Sequence, residues 1–325
     1  MNRVVLGGIF VLLIVEFLLI ISLVFFTPIG SRVTSTLSPT PTPAPILTAR
    51  GTPPAVDAAS VYLLDADTDH ALIDIHGELR LPMASTTKIM TAILVLDKGN
   101  LDQMVAIQED AAKEVIDNDG STAHLWVGDR ICMKDLLYAL MLPSGDDAAI
   151  AIADAMSGSA PAFVQQMNNY ARQLKLNNTH FINPDGLTYR LSDGKPDPNH
   201  YATASDLAHL ARYALQNPLF AQIVQLQEYI LPATSTHHSY DWVTTNQFLS
   251  HYAGATGIKT GYTVEAGYCL VFAAYNNGHH LVGVLLHDSD TDPDQRFADA
   301  ATLLDWGFQL PLLPPTPVPS VTPTS

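Results

Sequence analysis

Residues 85–97 read STTKIMTAILVLD. Apolar residues recur there at helical spacing, and Ser or Thr stands at the front as a candidate N-cap, so the stretch predicts a helix over 85–97. Positions i and i+3 share a helix face, which brings the Ser85 hydroxyl within reach of the Lys88 amine. A serine hydroxyl is a weak nucleophile until a base takes its proton, and a desolvated lysine is such a base. The helix N-terminus adds positive potential where an oxyanion would form. The same spacing also arises at ordinary capped, solvated helix starts, so the rest of the chain decides its meaning.

Working outward, 61–64 and 71–75 flank the turn-rich DADTD (65–69) and read as an antiparallel hairpin. Helices are expected over 135–141 and 147–156, broken at Pro143-Ser144-Gly145, and again over 160–174 and 204–215. Near the end, 268–275 and 280–287 alternate around Asn276-Asn277-Gly278, a second hairpin, and 295–308 closes as a helix. Strands, helices, strands and a last helix predict an α+β fold, an antiparallel sheet flanked by helices with a helical subdomain. There is no internal repeat.

The chain has 325 residues and a formal net charge of −16. Such acidity argues against a nucleic-acid partner, since phosphate binding needs clustered Lys and Arg. Two cysteines, Cys132 and Cys269, cannot make a disulfide framework or a four-ligand zinc site, and both are expected as small core hydrophobes. Residues 4–26 form an apolar run with one charge, Glu16, at about 1.5 Å per residue long enough for a bilayer core of about 30 Å. It is longer than a signal-peptide core and lacks a small-x-small cleavage site, so 1–26 is expected to be a transmembrane anchor or an uncleaved signal. Arg3 before the span weakly places the N-terminus inside. Residues 27–56 are rich in Pro, Thr and Ser and read as a linker. Residues 311–325 read as a Pro-rich disordered tail, which leaves 57–310 as the working domain.

Two tripeptides complete the reading: Ser144-Gly145-Asp146 between two helices, and Lys259-Thr260-Gly261 just before the strand hairpin. Either is a common turn by itself. In this order and these contexts they match the SxxK, SxN, KTG set of the penicillin-recognising serine enzymes. The chain resembles the D-alanyl-D-alanine carboxypeptidases, the low-molecular-mass penicillin-binding proteins. The blocks 81–92, 135–149, 197–208, 257–270 and 303–308 all look like that family. The resemblance implies a penicillin-binding protein/β-lactamase-like transpeptidase fold. It implies Ser85 as nucleophile, Lys88 as general base and Ser144 as proton relay. Lys259, Thr260 and Gly261 would bind the substrate's terminal carboxylate and backbone, with Arg296 as a further carboxylate-side arginine. Backbone N–H groups of Ser85 and Tyr262 would form the oxyanion hole. No counterpart of the family's β-rich C-terminal domain or C-terminal anchor is expected in this sequence, where the N-terminal span would do the tethering.

Asp146 departs from the family's usual Asn. An Asn side chain both donates and accepts, whereas an ionised Asp only accepts. Beside Lys88 it would favour the ammonium form, which predicts reduced activity.

The implied function is a serine-type D-Ala-D-Ala carboxypeptidase, with no cofactor and no metal. It would be tethered through its N-terminal span to the cell membrane with the catalytic domain on the extracytoplasmic side. Its partners would be peptidoglycan stem peptides ending in D-Ala-D-Ala, with β-lactams as inhibitors. Two alternatives stand beside it: a weakly active or inactive wall-binding module, and a β-lactamase. The β-lactamase reading is weakened by the sequence, because no Glu occurs between Ser144 and Gln227 and Glu228 is the only one before Lys259. The pairs His237-His238 and His279-His280 have no carboxylate or Cys at ligand spacing and read as solvated loops. His200 reads as a packing residue.

Overall fold

A computed structural model describes residues 46–313. The apolar run 4–26, the first part of the expected linker and residues 314–325 lie outside the described residues. Among the described residues no helix is long and apolar enough to cross a membrane.

The five main strands are β1 (Ser60–Asp65), β2 (His70–Ile75), β3 (Ala255–Thr263), β4 (Gly267–Asn276) and β5 (His279–Leu286). They form one antiparallel sheet in the order β2-β1-β5-β4-β3. All six residues of β1 are buried, as a central strand covered on both faces requires. Strand β3 lies at the sheet edge, bonded to β4 alone, so its other side remains open. Both predicted hairpins are present, and the second turns at Asn277, which takes the left-handed conformation (φ 52°).

Helices cover both faces. On one side lie α1 (Lys88–Lys98), α2 (Glu109–Asn118), α3 (Met133–Met141), α4 (Asp146–Ser157), α5 (Ala160–Gln173) and α6 (Ala204–Leu215). They share an apolar core with the inner face of the sheet. On the other side α7 (Gln295–Phe308) packs on β4 and β5, with Leu63, Leu270, Phe272, Leu303 and Leu304 in a second core. Helix α1 is the hub: its first eight residues are all buried, and it packs against α3, α4 and α6. The predicted α+β layering is therefore present, with helices α1–α6 forming the helical part.

Three local differences from the sequence reading have physical causes. The helix expected from Ser85 opens instead as a 3-10 turn over Ala84–Thr87, and no side chain caps it. Ala84 enters in the left-handed region at φ 47°, the Thr86 hydroxyl is spent on the Met83 carbonyl at 2.7 Å, and the Ser85 hydroxyl is engaged by Lys88 Nζ, so neither side chain caps the helix. Helix α2 has no counterpart among the expected helices, because half of its residues are charged and only Ala111 is fully buried. The folded unit also extends beyond 57–310: Ile46–Leu47, read as linker, pairs with Leu312–Leu313, read as tail, and Leu47 is buried. Cys269 is buried and Cys132 half-buried, and both are free thiols.

Candidate active site

The 3-10 turn at the head of α1 places Ser85 and Lys88 one turn apart, and Lys88 Nζ stands 2.9 Å from Ser85 Oγ. Lys88 is 0% exposed. Its amine has two further acceptors, Asp146 Oδ1 at 2.5 Å and the Asp185 carbonyl at 2.7 Å. All three ammonium protons thus have a partner. Ser85 keeps partial exposure while everything behind it is dry.

Asp146 starts α4, where the helix N-terminus favours negative charge. It is 1% exposed, its backbone N–H donates to Ser121, and its Oδ2 has no hydrogen-bond partner among the described residues. Burial pushes its carboxyl above the usual range, and Lys88 opposes that shift. Room for Oδ2 comes from Gly120: a Cβ at that position would stand 2.4 Å away. Ser144 is buried in the left-handed region (φ 66°), the sharp bend that delivers the chain into α4. Its hydroxyl makes no hydrogen bond among the described residues.

The third motif lies on the open edge. Lys259 is 1% exposed and has one acceptor, the Thr260 carbonyl at 2.9 Å. Burial lowers its pKa well below the usual lysine range, and the charge of Lys88 adds to the shift. Thr260 Oγ1 lies 2.8 Å from Thr245 Oγ1, an exposed hydroxyl that sequence reasoning missed. Gly261 lets the strand press against the serine: a Cβ there would sit 3.2 Å from Ser85 N and 3.1 Å from Met83 O. Tyr262 is half exposed, with its ring stacked on Tyr268 at 4.4 Å. Arg296, from α7, donates to the Gly261 carbonyl at 3.1 Å and lies over the Tyr268 ring at 5.0 Å. It thus holds the strand's backbone, and its Nε has no partner among the described residues.

The structure therefore brings together all three motifs. It adds Asp185, in the loop Asn183-Pro184-Asp185-Gly186-Leu187, whose carbonyl reaches Lys88 across 97 positions of sequence. It also shows His200 packing behind the first motif. The Ile182 N–H donates to His200 Nδ1 at 3.1 Å, so Nε2 carries the proton toward Thr87 Oγ1 at 2.9 Å. Burial pushes this imidazole down to about 3, so it stays neutral.

Two clefts meet at the far end of β3. One of about 550 Å³ is lined by Ala84, Leu187, Tyr189, Tyr201 and Thr263, and one of about 710 Å³ by Asp119, Arg190, Tyr262 and Val264.

His279, for which sequence spacing offered no carboxylate, receives two from another hairpin. Asp65, Asp67 and His279 bring possible ligand atoms within 4.8 Å of one another. The carboxylate oxygens there already accept from the Asp67 and His280 backbone N–H groups and from Thr68.

A family model described as D-alanyl-D-alanine carboxypeptidase matches residues 48–290. The chain belongs to the D-alanyl-D-alanine carboxypeptidase family. It is a serine peptidase, a hydrolase of cell-wall metabolism. It is 39% identical over 271 residues to a D-alanyl-D-alanine carboxypeptidase of a Streptomyces species (strain K15), covering 80% of this chain and 90% of that one. A Bacillus subtilis relative of the same description is 34% identical, with 78% of this chain and 63% of the relative covered. The crystal structure of the Streptomyces K15 DD-transpeptidase superposes with a TM-score of 0.73 at 38% identity, covering 80% of this chain and all of that one.

Proposed function

We propose that this enzyme removes the terminal D-alanine from peptidoglycan stem peptides through an acyl-enzyme on Ser85. The observation that carries the reading is the Ser85–Lys88 contact of 2.9 Å, with the lysine fully buried and the serine at the mouth of the open strand edge. Lys88 as a neutral amine takes the Ser85 proton while Oγ attacks the penultimate carbonyl carbon. The oxyanion formed is held by the backbone N–H groups of Ser85 and Tyr262. The peptide C–N bond then breaks, and the leaving D-alanine amine takes its proton from Lys88 by way of the Ser144 hydroxyl. Water next hydrolyses the Ser85 ester and regenerates the hydroxyl.

Lys259, with the Thr260 and Thr245 hydroxyls, supplies donors for the terminal carboxylate. Arg296 adds positive potential behind the same strand. The stem peptide lies along the free edge of β3 and extends into the clefts beyond Tyr262 and Thr263. β-Lactams acylate the same serine. The adduct is expected to be long-lived, since Glu228, the only glutamate between Ser144 and Lys259, sits exposed on a separate two-stranded ribbon (228–231 with 240–243).

The apolar run 4–26 makes the enzyme a single-pass membrane protein, with the domain outside the cell on a Pro-rich tether. Fractionation of cells expressing the full chain, with alkaline washing, tests that tether: retention in the membrane pellet supports it, and release to the supernatant refutes it. The activity is tested by measuring D-alanine released from a pentapeptide ending in D-Ala-D-Ala. Wild type is expected to release it and Ser85→Ala to lose all release; equal release by the two would refute the role of Ser85.

A further inference from the structure

Asp185 belongs to none of the three motifs, yet its backbone contacts the general base. Its carbonyl accepts from Lys88 Nζ at 2.7 Å, and its side chain, 0% exposed, lies close enough to Lys88 and Asp146 to feel both charges. Its loop is held in place from several directions. Asp185 Oδ1 accepts from the Leu187 N–H at 2.8 Å, and Asn183 Oδ1 from the Gly186 N–H at 2.8 Å. The Thr91 hydroxyl of α1 donates to the Pro184 carbonyl at 2.6 Å. Gly186 turns at φ 98° against the nucleophile's own backbone, where a Cβ would stand 2.0 Å from the Ala84 carbonyl oxygen.

We propose that Asp185 is a positioning residue for the Ser85–Lys88 pair: its carbonyl aims the amine, and its side chain serves as a neutral carboxylic acid. The proposal rests on the acyl-enzyme reading above. A neutral Lys88 has two N–H groups and one lone pair. With Asp185 O and Asp146 Oδ1 taking the two N–H groups, the lone pair faces Ser85 Oγ, as a general base requires. The charge balance points the same way. One buried lysine faces two buried carboxyls, and a second carboxylate beside Lys88 would lock it as ammonium. Asp185 Oδ2 has no hydrogen-bond partner among the described residues, and leaving an ionised oxygen unpaired there costs more than leaving a neutral hydroxyl unpaired. The groups facing it are Lys88 from α1, Asp146 from α4, Glu114 from α2 and Tyr189 from its own loop. Burial, then Asp146, raise its pKa well above the usual range.

The test is the rate constant of acylation by penicillin, measured on the full chain from pH 5 to 9.5 for wild type, Asp185→Asn and Asp185→Ala. As Asp185 ionises, wild type is expected to slow, whereas the Asn chain cannot ionise. The ratio of Asn to wild-type rates should therefore climb with pH, by about tenfold between pH 5 and 9.5. The Ala chain, with Leu187 N–H deprived of its acceptor, is expected to lose about tenfold in the acylation step at pH 7 while its non-covalent penicillin affinity holds. If the Asn chain does not fold, Asp185→Ser keeps a neutral acceptor for Leu187 and takes its place. Parallel pH profiles for wild type and the neutral variant would overturn the proposal, as would an Ala chain acylating at the wild-type rate. A wild type that never acylates would instead refute the Ser85 reading itself.

Discussion

Lys88 and Lys259 are both buried lysines in one site, and the fold treats them in opposite ways. Lys88 has three polar partners, one for each direction its amine can point: a hydroxyl, a carboxyl and a carbonyl. Lys259 has a single acceptor, the carbonyl of the next residue, although it is just as dry. The first arrangement fixes direction, because an amine held on two sides has one way left to point. The second leaves donors unsatisfied in a low-dielectric site, which costs stability until an anion arrives. The contrast separates the two tasks of the reaction. A base must be aimed at a neighbour already present, whereas a carboxylate receptor must keep its capacity for a ligand still to come.

The sharpest way to break this comparison is to remove each lysine. Lys88→Met is expected to reduce the rate of penicillin acylation by about a thousandfold with little change in pre-covalent affinity, since general-base assistance lies in that range. Lys259→Met is expected to raise KM for a D-Ala-D-Ala peptide by about a hundredfold. A peptide with its C-terminus amidated should be far less sensitive to that change. Equal losses on both peptides would place Lys259 outside carboxylate recognition.

Asp146→Asn sharpens the account of the base. Asn keeps an acceptor for Lys88 Nζ and removes the negative charge that favours ammonium. The acid limb of the acylation profile should therefore move to lower pH, with a gain of about tenfold at pH 7. A slower Asn variant would show that the carboxylate helps the base.

The smallest effect tests a buried acid behind the strand. Asp288 is buried with neither carboxylate oxygen hydrogen-bonded among the described residues, and burial next to Asp299 and Asp57 pushes it up to about 7. Because its pKa is raised on folding, the neutral form stabilises the folded state at low pH, and that stability is lost as pH rises through about 7. Asp288→Asn should melt about 2–4 °C above wild type at pH 8, with the gap narrowing towards pH 5. A gap independent of pH would contradict the ionisation.

How much of this was legible in the sequence follows from where each contact comes from. The Ser85–Lys88 pair is a contact between i and i+3, so helical geometry announces it even though the turn is 3-10 rather than a capped α-helix. The two hairpins and α7 carried clear alternation or helical periodicity. Short paired strands such as 104–106 with 130–132 are too brief to show a period. Helix α2 carries only a short apolar face, Ala111, Ala112, Val115 and Ile116, among charged residues, too brief to stand out in the sequence. Asp185 lies in an Asn-Pro-Asp-Gly run that marks a turn, but no local pattern says that the turn's carbonyl will face a lysine 97 residues earlier. Thr245 and Gly120 were hidden for the same reason: their partners, Thr260 and Asp146, belong to other segments. Asp146 could be recognised as a departure, but only the folded chain shows that its carboxyl lies on Lys88.

The most direct test of the central claim is mass spectrometry of the full chain after exposure to penicillin, with Ser85→Ala alongside and the modified peptide sequenced. A single stable penicilloyl adduct on Ser85 in wild type, and none in the variant, is the expected result. An adduct on another residue, or none on a folded wild type with penicillin still intact, would contradict the account.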